Sequence, residues 1–128
     1  MNEIGLPGLV VGAGGSRGGP TQELLDLIGA VLDEAGAQPG SVRALATVDR
    51  RADEPGIVAA ARHHGWPLVT HPATTLRHVA VPTPSDVVDA HVGTPSVAEA
   101  AALLSAGGPL LVPKRRSARA TCALAEAS

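Results

Sequence analysis

The chain has 128 residues, a formal net charge of −2 and 45% hydrophobic residues, with no Phe or Tyr and a single Trp. A chain of this length is expected to form one domain, over residues 1–128. Because the chain has no surplus of basic residues and only Trp66 as an aromatic side chain for base stacking, the composition argues against nucleic-acid binding.

The sequence also indicates in which cellular compartment the protein is found. A lone cysteine, Cys122, cannot build a disulfide framework and fits a reducing environment. The N-terminus lacks the basic and apolar stretches of a signal peptide, and no run approaches the roughly 20 apolar residues that a membrane span needs. These features predict a soluble cytoplasmic protein that makes no contact with a membrane.

The first half of the chain alternates between apolar runs typical of buried strands and the longer periodicity of helices. Gly36 and Gly65 are placed to end two helices, and Pro55 is placed to begin the second. The predicted elements are, in order, a strand at 9–11, a glycine-rich loop at 12–20, a helix at 21–35, a strand at 42–48, a polar loop from 50 and a helix from 55 to 65.

The second half continues the alternation and closes with a hairpin. Its predicted elements are a strand at 67–70, an irregular helical segment at 72–79, a proline-stiffened connector at 81–84, a helix at 85–91, a helix after Thr94, and strands at 110–112 and 120–124 joined by a basic turn at 114–119. Together they predict an α/β fold with three α/β/α layers and a mixed, mostly parallel sheet of about five strands.

The segment 91–104 predicts a turn that leads into a buried helix. From Val97 to Ala106 the only polar residues are Glu99 and Ser105, and a helix that is apolar on nearly every side is buried. Amides and hydroxyls at its N-terminus would favour an anion. The alternative is that the hydroxyls only cap the helix. The candidate ligand-binding residues here are His91, Gly93, Thr94 and Ser96.

The glycine-rich loop invites a comparison with dinucleotide-binding loops. Gly12 and Gly14 have the right spacing, but the third glycine of that pattern falls at Arg17, so the pattern fails. The exposed amides of Gly12, Gly14 and Gly18, with the charge of Arg17, still suit a carboxylate or phosphate. The alternative is a tight turn that requires glycine for its geometry alone.

Acidic residues follow the second strand. Asp49 and Glu54 are the candidate catalytic residues, because carboxylates at strand ends of α/β folds can serve as general acid or base. Asp53 is a candidate ligand-binding residue that is also placed to cap the next helix. The alternative is that all three form surface ion pairs and helix caps.

Cationic residues cluster near the C-terminus at Lys114, Arg115, Arg116 and Arg119. They suit either a clamp for a polyanionic ligand or a solvated turn. Lys114 and Ser117 are the ligand-binding candidates of this segment. The five histidines have no compact ligand spacing, so neither a metal nor a cofactor is predicted.

Four segments in this order resemble one family: the C-terminal domain of the cobalamin-biosynthesis protein CbiG and its standalone counterpart, CobE. The segments are 11–18, 46–56, 91–104 and 111–121, and they span nearly the whole chain. The first departs from the family, because Ser16 stands where a second basic residue commonly precedes the arginine. Gly19 and Pro20 also replace the usual threonine or serine start of the helix.

The resemblance implies a role in corrin-ring synthesis. CbiG-type proteins open the lactone of cobalt-precorrin 5A and release acetaldehyde, and they carry an N-terminal domain for which this chain has no room. The chain therefore looks like the standalone form, which binds or acts on a precorrin, a macrocycle rimmed with carboxylates. The resemblance is compatible with a hydrolase and with a protein that only binds the precorrin, and with a monomer or a homodimer. The alternatives are a non-catalytic partner or carrier for other corrin-pathway enzymes and a nucleotide-binding α/β domain.

Overall fold

The computed structural model describes residues 8–15, 18–79, 81 and 97–127. Five strands lie within these residues: β1 (Leu9–Gly15), β2 (Val42–Val48), β3 (Leu68–His71), β4 (Leu110–Arg116) and β5 (Ala120–Glu126). The helices are α1 (Thr21–Ala35), α2 (Pro55–His64), α3 (Ala73–Leu76) and α4 (Val97–Ala106). Short 3-10 turns cover Pro39–Ser41 and Asp49–Arg51.

The strands form one sheet in the order β3-β2-β1-β5-β4. The pairs β1–β2 and β2–β3 are parallel, whereas β1–β5 and β4–β5 are antiparallel. Four strands therefore point one way and β5 points the other way. This confirms the predicted mixed, mostly parallel sheet of five strands.

Helices cover both faces of the sheet, and each face has its own apolar cluster. On one face, Ile28 of α1 and Ile57 of α2 belong to the same cluster as Val11 of β1. On the other, alanines of α4 and Leu76 of α3 belong to the same cluster as Val10. The predicted three-layer arrangement is present.

Small residues let α4 lie unusually close to the sheet. A Cβ atom added to Gly12 of β1 would lie 1.9 Å from the backbone oxygen of Ala98. The missing side chain of Gly12 is therefore what permits the contact between helix and strand. The first turn of α4 consequently lies beside the end of β1, where Val97 approaches Gly14.

Glycine and proline set the predicted helix ends. α1 ends before Gly36 and α2 ends before Gly65, and both glycines have a positive φ, 68° and 74°. Residues with side chains rarely adopt this left-handed conformation. Pro55 occupies the first turn of α2, where its missing N–H costs no hydrogen bond.

The basic turn predicted at 114–119 is wrong in its extent. Lys114, Arg115 and Arg116 belong to β4, and only 117–119 connect it to β5. An edge strand has one side open to water, so it accepts charged residues that are also typical of a turn. Of the predicted connector at 81–84 only Val81 is described, and the rest of it, the helix at 85–91 and the Thr94 cap lie outside the described residues.

Candidate functional site

A cleft opens at the carboxyl end of β1 and β2, beside the starts of α1 and α2. The space in and directly above the cleft, open solvent included, is about 330 Å³. Its walls include the polar side chains of Glu23, Arg51, Glu54 and Arg119, and the backbone of Gly15 and Gly56. Strand ends of α/β sheets are where such folds bind ligands.

Glu54 is the buried acid of this cleft, with 7% of its surface exposed. Its Oε2 accepts a hydrogen bond from the backbone N–H of Gly18, 2.9 Å away in the glycine-rich loop. Glu54 also occupies the N-cap position of α2, but its side chain makes no capping hydrogen bond there. The carboxylate thus joins two loops that are 36 residues apart in the chain.

Glu23 joins the opposite wall of the cleft to the turn between β4 and β5. Its Oε2 accepts hydrogen bonds from the hydroxyl of Ser117 and from the backbone N–H of Arg119, the latter at 2.6 Å. The bond from Ser117 is the main reason that the pKa of Glu23 lies below its ordinary value, and the Arg119 amide adds to the shift. Ser117 Oγ in turn accepts the N–H of Ala120 at 3.2 Å.

Two arginines bring positive charge to the same cleft. Arg51 donates from Nη2 to the backbone oxygen of Gly15 at 3.0 Å, so its guanidinium is held at the end of β1. Arg119 is exposed in the turn before β5. The described lining of the cleft therefore includes two arginines and two glutamates.

Glu99 is a third acid that bonds to a backbone amide near this end of the sheet. It is fully buried in α4, and its Oε2 accepts the backbone N–H of Lys114 at 2.7 Å. The contact falls where the pairing of β4 with β5 shifts register between Val112 and Arg115. The sequence signal for Glu99 was its position as the single acid in an otherwise apolar helix.

The predicted site residues separate into groups. Gly14 and Glu54 line the cleft, and Gly18 and Ser117 contact its walls. Gly12 instead packs against Ala98. Lys114 bonds through its backbone to Glu99 on the α4 side of the sheet. Outside the described residues lie Arg17, His91, Gly93, Thr94 and Ser96.

The structure leaves both Asp49 and Asp53 exposed to solvent. β2 is buried as predicted, but Asp49 itself is exposed at its end. Asp53 is exposed too, and its predicted capping role is wrong, because Glu54 holds the N-cap position of α2 and no side chain caps it.

Other reactive groups lie away from the cleft. Within the described residues, no three His, Cys, Asp or Glu side chains converge closely enough to hold a metal ion. Cys122 is buried in β5, and burial raises the pKa of its thiol, which keeps it protonated and unreactive. None of the described helices has both the length and the apolar character of a membrane span.

Comparison with known proteins gives consistent matches. The family model described as cobalamin synthesis G C-terminus matches residues 9–125. Protein CobE of Sinorhizobium sp is 44% identical over 122 residues, which cover 92% of this chain and 79% of that protein. The cobalt-precorrin-5A hydrolase of Priestia megaterium is 32% identical over 118 residues, which are 91% of this chain and 32% of the hydrolase.

A solved structure agrees with these matches. The crystal structure of CobE, described as a protein from the cobalamin biosynthetic pathway, superposes with a TM-score of 0.87 at 35% sequence identity. The superposition covers 95% of this chain and 92% of that structure.

Proposed function

The chain belongs to the family of cobalamin synthesis G C-terminal domains, and on that basis we propose how this cobalamin-biosynthesis protein uses its cleft. It binds a corrin-ring intermediate of the precorrin type, with the carboxylates on the ring's rim held at the mouth of the cleft. The names of its relatives, a CobE protein and a cobalt-precorrin-5A hydrolase, support this ligand class. We place it in the cytoplasm, alongside other enzymes of the pathway.

One observation carries the proposal: two arginines, Arg51 and Arg119, line a single cleft at the strand ends. Arginine binds carboxylates through paired, charge-assisted hydrogen bonds. A macrocycle with several carboxylates can contact both arginines while its ring lies across the mouth. Arg17 and Lys114 belong to the same proposal as further contacts for the rim carboxylates.

If the bound intermediate is turned over, Glu54 is the acid best placed to act on it. It is the buried carboxylate of the cleft, whereas Asp49 is exposed at the end of β2. The reaction class follows the name of the hydrolase relative: hydrolytic opening of a lactone, with a carboxylate as general base for water. In an assay with the lactone substrate, Asp49→Asn shows whether the second acid contributes.

The experiment that tests binding is an absorbance titration with hydrogenobyrinic acid, a corrin that carries several carboxylates. We expect wild-type protein to perturb the corrin spectrum and Arg119→Ala to weaken binding about tenfold or more, because a charge-assisted hydrogen bond is lost. Affinity should also fall as salt rises, since exposed charges are screened.

Arg115→Ala is the matched control, since it removes the same charge from the same hairpin. Arg115 points away to Glu34 of α1, with Nε 3.0 Å from Oε1. Its loss should leave corrin affinity nearly unchanged. Equal weakening by both variants would mean that only general charge matters, and an unperturbed spectrum with wild-type protein would contradict the proposed function. Binding without turnover of the lactone would make the protein a carrier.

A further inference from the structure

Two backbone amides at the cleft, one of which (Gly18) was predicted to bind an anionic ligand, are occupied by the protein's own glutamates. Gly18 N–H donates to Glu54, and Arg119 N–H donates to Glu23. Both glutamates line the cleft. A ligand carboxylate that uses either amide must therefore replace a carboxylate that is already bound there.

Glu54 is the better placed of the two to be replaced. Its backbone is fixed on both sides, since its N–H donates to Arg51 O and its carbonyl accepts Val58 N–H, each at 3.0 Å. Its side chain makes no bond to its own helix. Rotation of the side chain alone can therefore release Gly18 without disturbing α2.

Gly18 is open to an incoming ligand. The residue is exposed, and a Cβ atom added to it would meet nothing within 4 Å. Its φ of 75° is left-handed, which glycine adopts without strain. A carboxylate from solvent can thus approach the amide that Glu54 now occupies.

We propose that Glu54 is an internal competitor for the ligand: it occupies the Gly18 amide in the unliganded protein, and a carboxylate of the bound ring displaces it. The inference deepens the proposed function and rests on it, because it assigns one rim carboxylate to a specific amide. Displacement breaks one hydrogen bond and forms an equivalent one. It also turns the Glu54 carboxylate toward the ligand, where it can act as a base.

If Glu54 competes with the ligand, removing its carboxylate should have opposite effects on ligand binding and on turnover. Removing the competing carboxylate should strengthen ligand binding, because the Gly18 amide no longer has a charged acceptor and one negative charge leaves the cleft. The same change should abolish any reaction in which Glu54 takes a proton. A purely structural Glu54 would behave differently, since its loss would weaken binding and folding together.

The test uses citrate as a simple polycarboxylate probe and follows the Gly18 amide in ¹H–¹⁵N spectra of the whole chain. We expect Glu54→Gln to bind citrate about tenfold more tightly than wild type, the factor expected for one charge-assisted hydrogen bond. Citrate should shift the Gly18 amide in both proteins. Asp33→Asn is the control, because it removes the same charge from an exposed position in α1.

A second variant keeps the inference testable if Glu54→Gln does not fold. Glu54→Asp keeps the charge but shortens the side chain by one methylene, so that it no longer reaches Gly18, and it should also bind citrate more tightly than wild type. Unchanged citrate affinity in both Glu54 variants, or a Gly18 amide that citrate does not move, would overturn the inference. Because citrate is not a corrin, this result is independent of whether hydrogenobyrinic acid binds.

Discussion

At the scale of single residues, replacing glycine by alanine should have opposite effects on stability at Gly12 and at Gly29. Gly12 lies against α4, where an added Cβ would be 1.9 Å from Ala98 O, whereas Gly29 in α1 has nothing within 4 Å of that position. Gly12→Ala must therefore push the helix off the sheet, and we expect a loss of about 1–3 kcal/mol or more in the free energy of unfolding. Gly29→Ala should gain about 0.5–1 kcal/mol, since alanine favours a helix.

Urea unfolding followed by Trp66 fluorescence measures both changes. Trp66 is buried and stacked on His64, so its emission should report the loss of packing. Equal stability of Gly12→Ala and wild type would show that α4 does not approach β1 as closely as described.

The residues of the cleft were only partly predictable. Glu54 and the glycine loop could be identified because they adjoin strand ends. Glu23 looked like an ordinary acid of an amphipathic helix, since its partners Ser117 and Arg119 are 94 and 96 residues away. Such distant pairings follow from the order of strands in the sheet, which local sequence patterns do not specify.

At the scale of elements, the bond from Ser117 to Glu23 holds the β4–β5 turn on α1. The pKa of Glu23 is lowered in the folded chain from 4.5. Its contribution to stability is therefore present above the unfolded pKa and is lost as pH falls through the folded pKa. We expect Glu23→Gln to be less stable than wild type at pH 7, and the difference to shrink below about pH 4.5.

Urea unfolding at a series of pH values checks this expectation. The pKa of Glu34 is lowered too, mainly by its hydrogen bond with Arg115, so this carboxylate also contributes to the pH dependence of stability. Because Glu34 is present in both proteins, the difference between them isolates Glu23. A difference that stays constant from pH 7 to pH 3 would show that the Glu23 carboxylate makes no charge-dependent bond to the turn.

Helix and strand bounds were predictable where local signals agreed. The bounds of α1 and β2 match the prediction because Gly36 ends the helix and an apolar run defines the strand. β4 is longer than predicted because the charged residues Arg115 and Arg116 pair with Cys122 and Thr121 of β5. That pairing depends on the neighbouring strand and on the edge position, which composition does not reveal.

At the scale of the whole molecule, the strand order brings distant segments to one end of the sheet. β1 is central, so the loop after it lies between the loop after β2 and the turn before β5. The starts of α1 and α2 face the same cleft. The far end of α2, at His63 and His64, lies about 15 Å along the helix axis from its start. Binding at the cleft should leave that end undisturbed.

The most direct test of the account is to map where a corrin binds. Hydrogenobyrinic acid is added to ¹⁵N-labelled protein and the amide shifts are followed through the titration. If the ring binds at the cleft, we expect saturable shifts at Gly15, Gly18, Gly56 and Arg119, with the amides of His63 and His64 unmoved. Shifts centred on the far end of α2, or no saturable shift at the amides of the cleft, would contradict binding at the cleft.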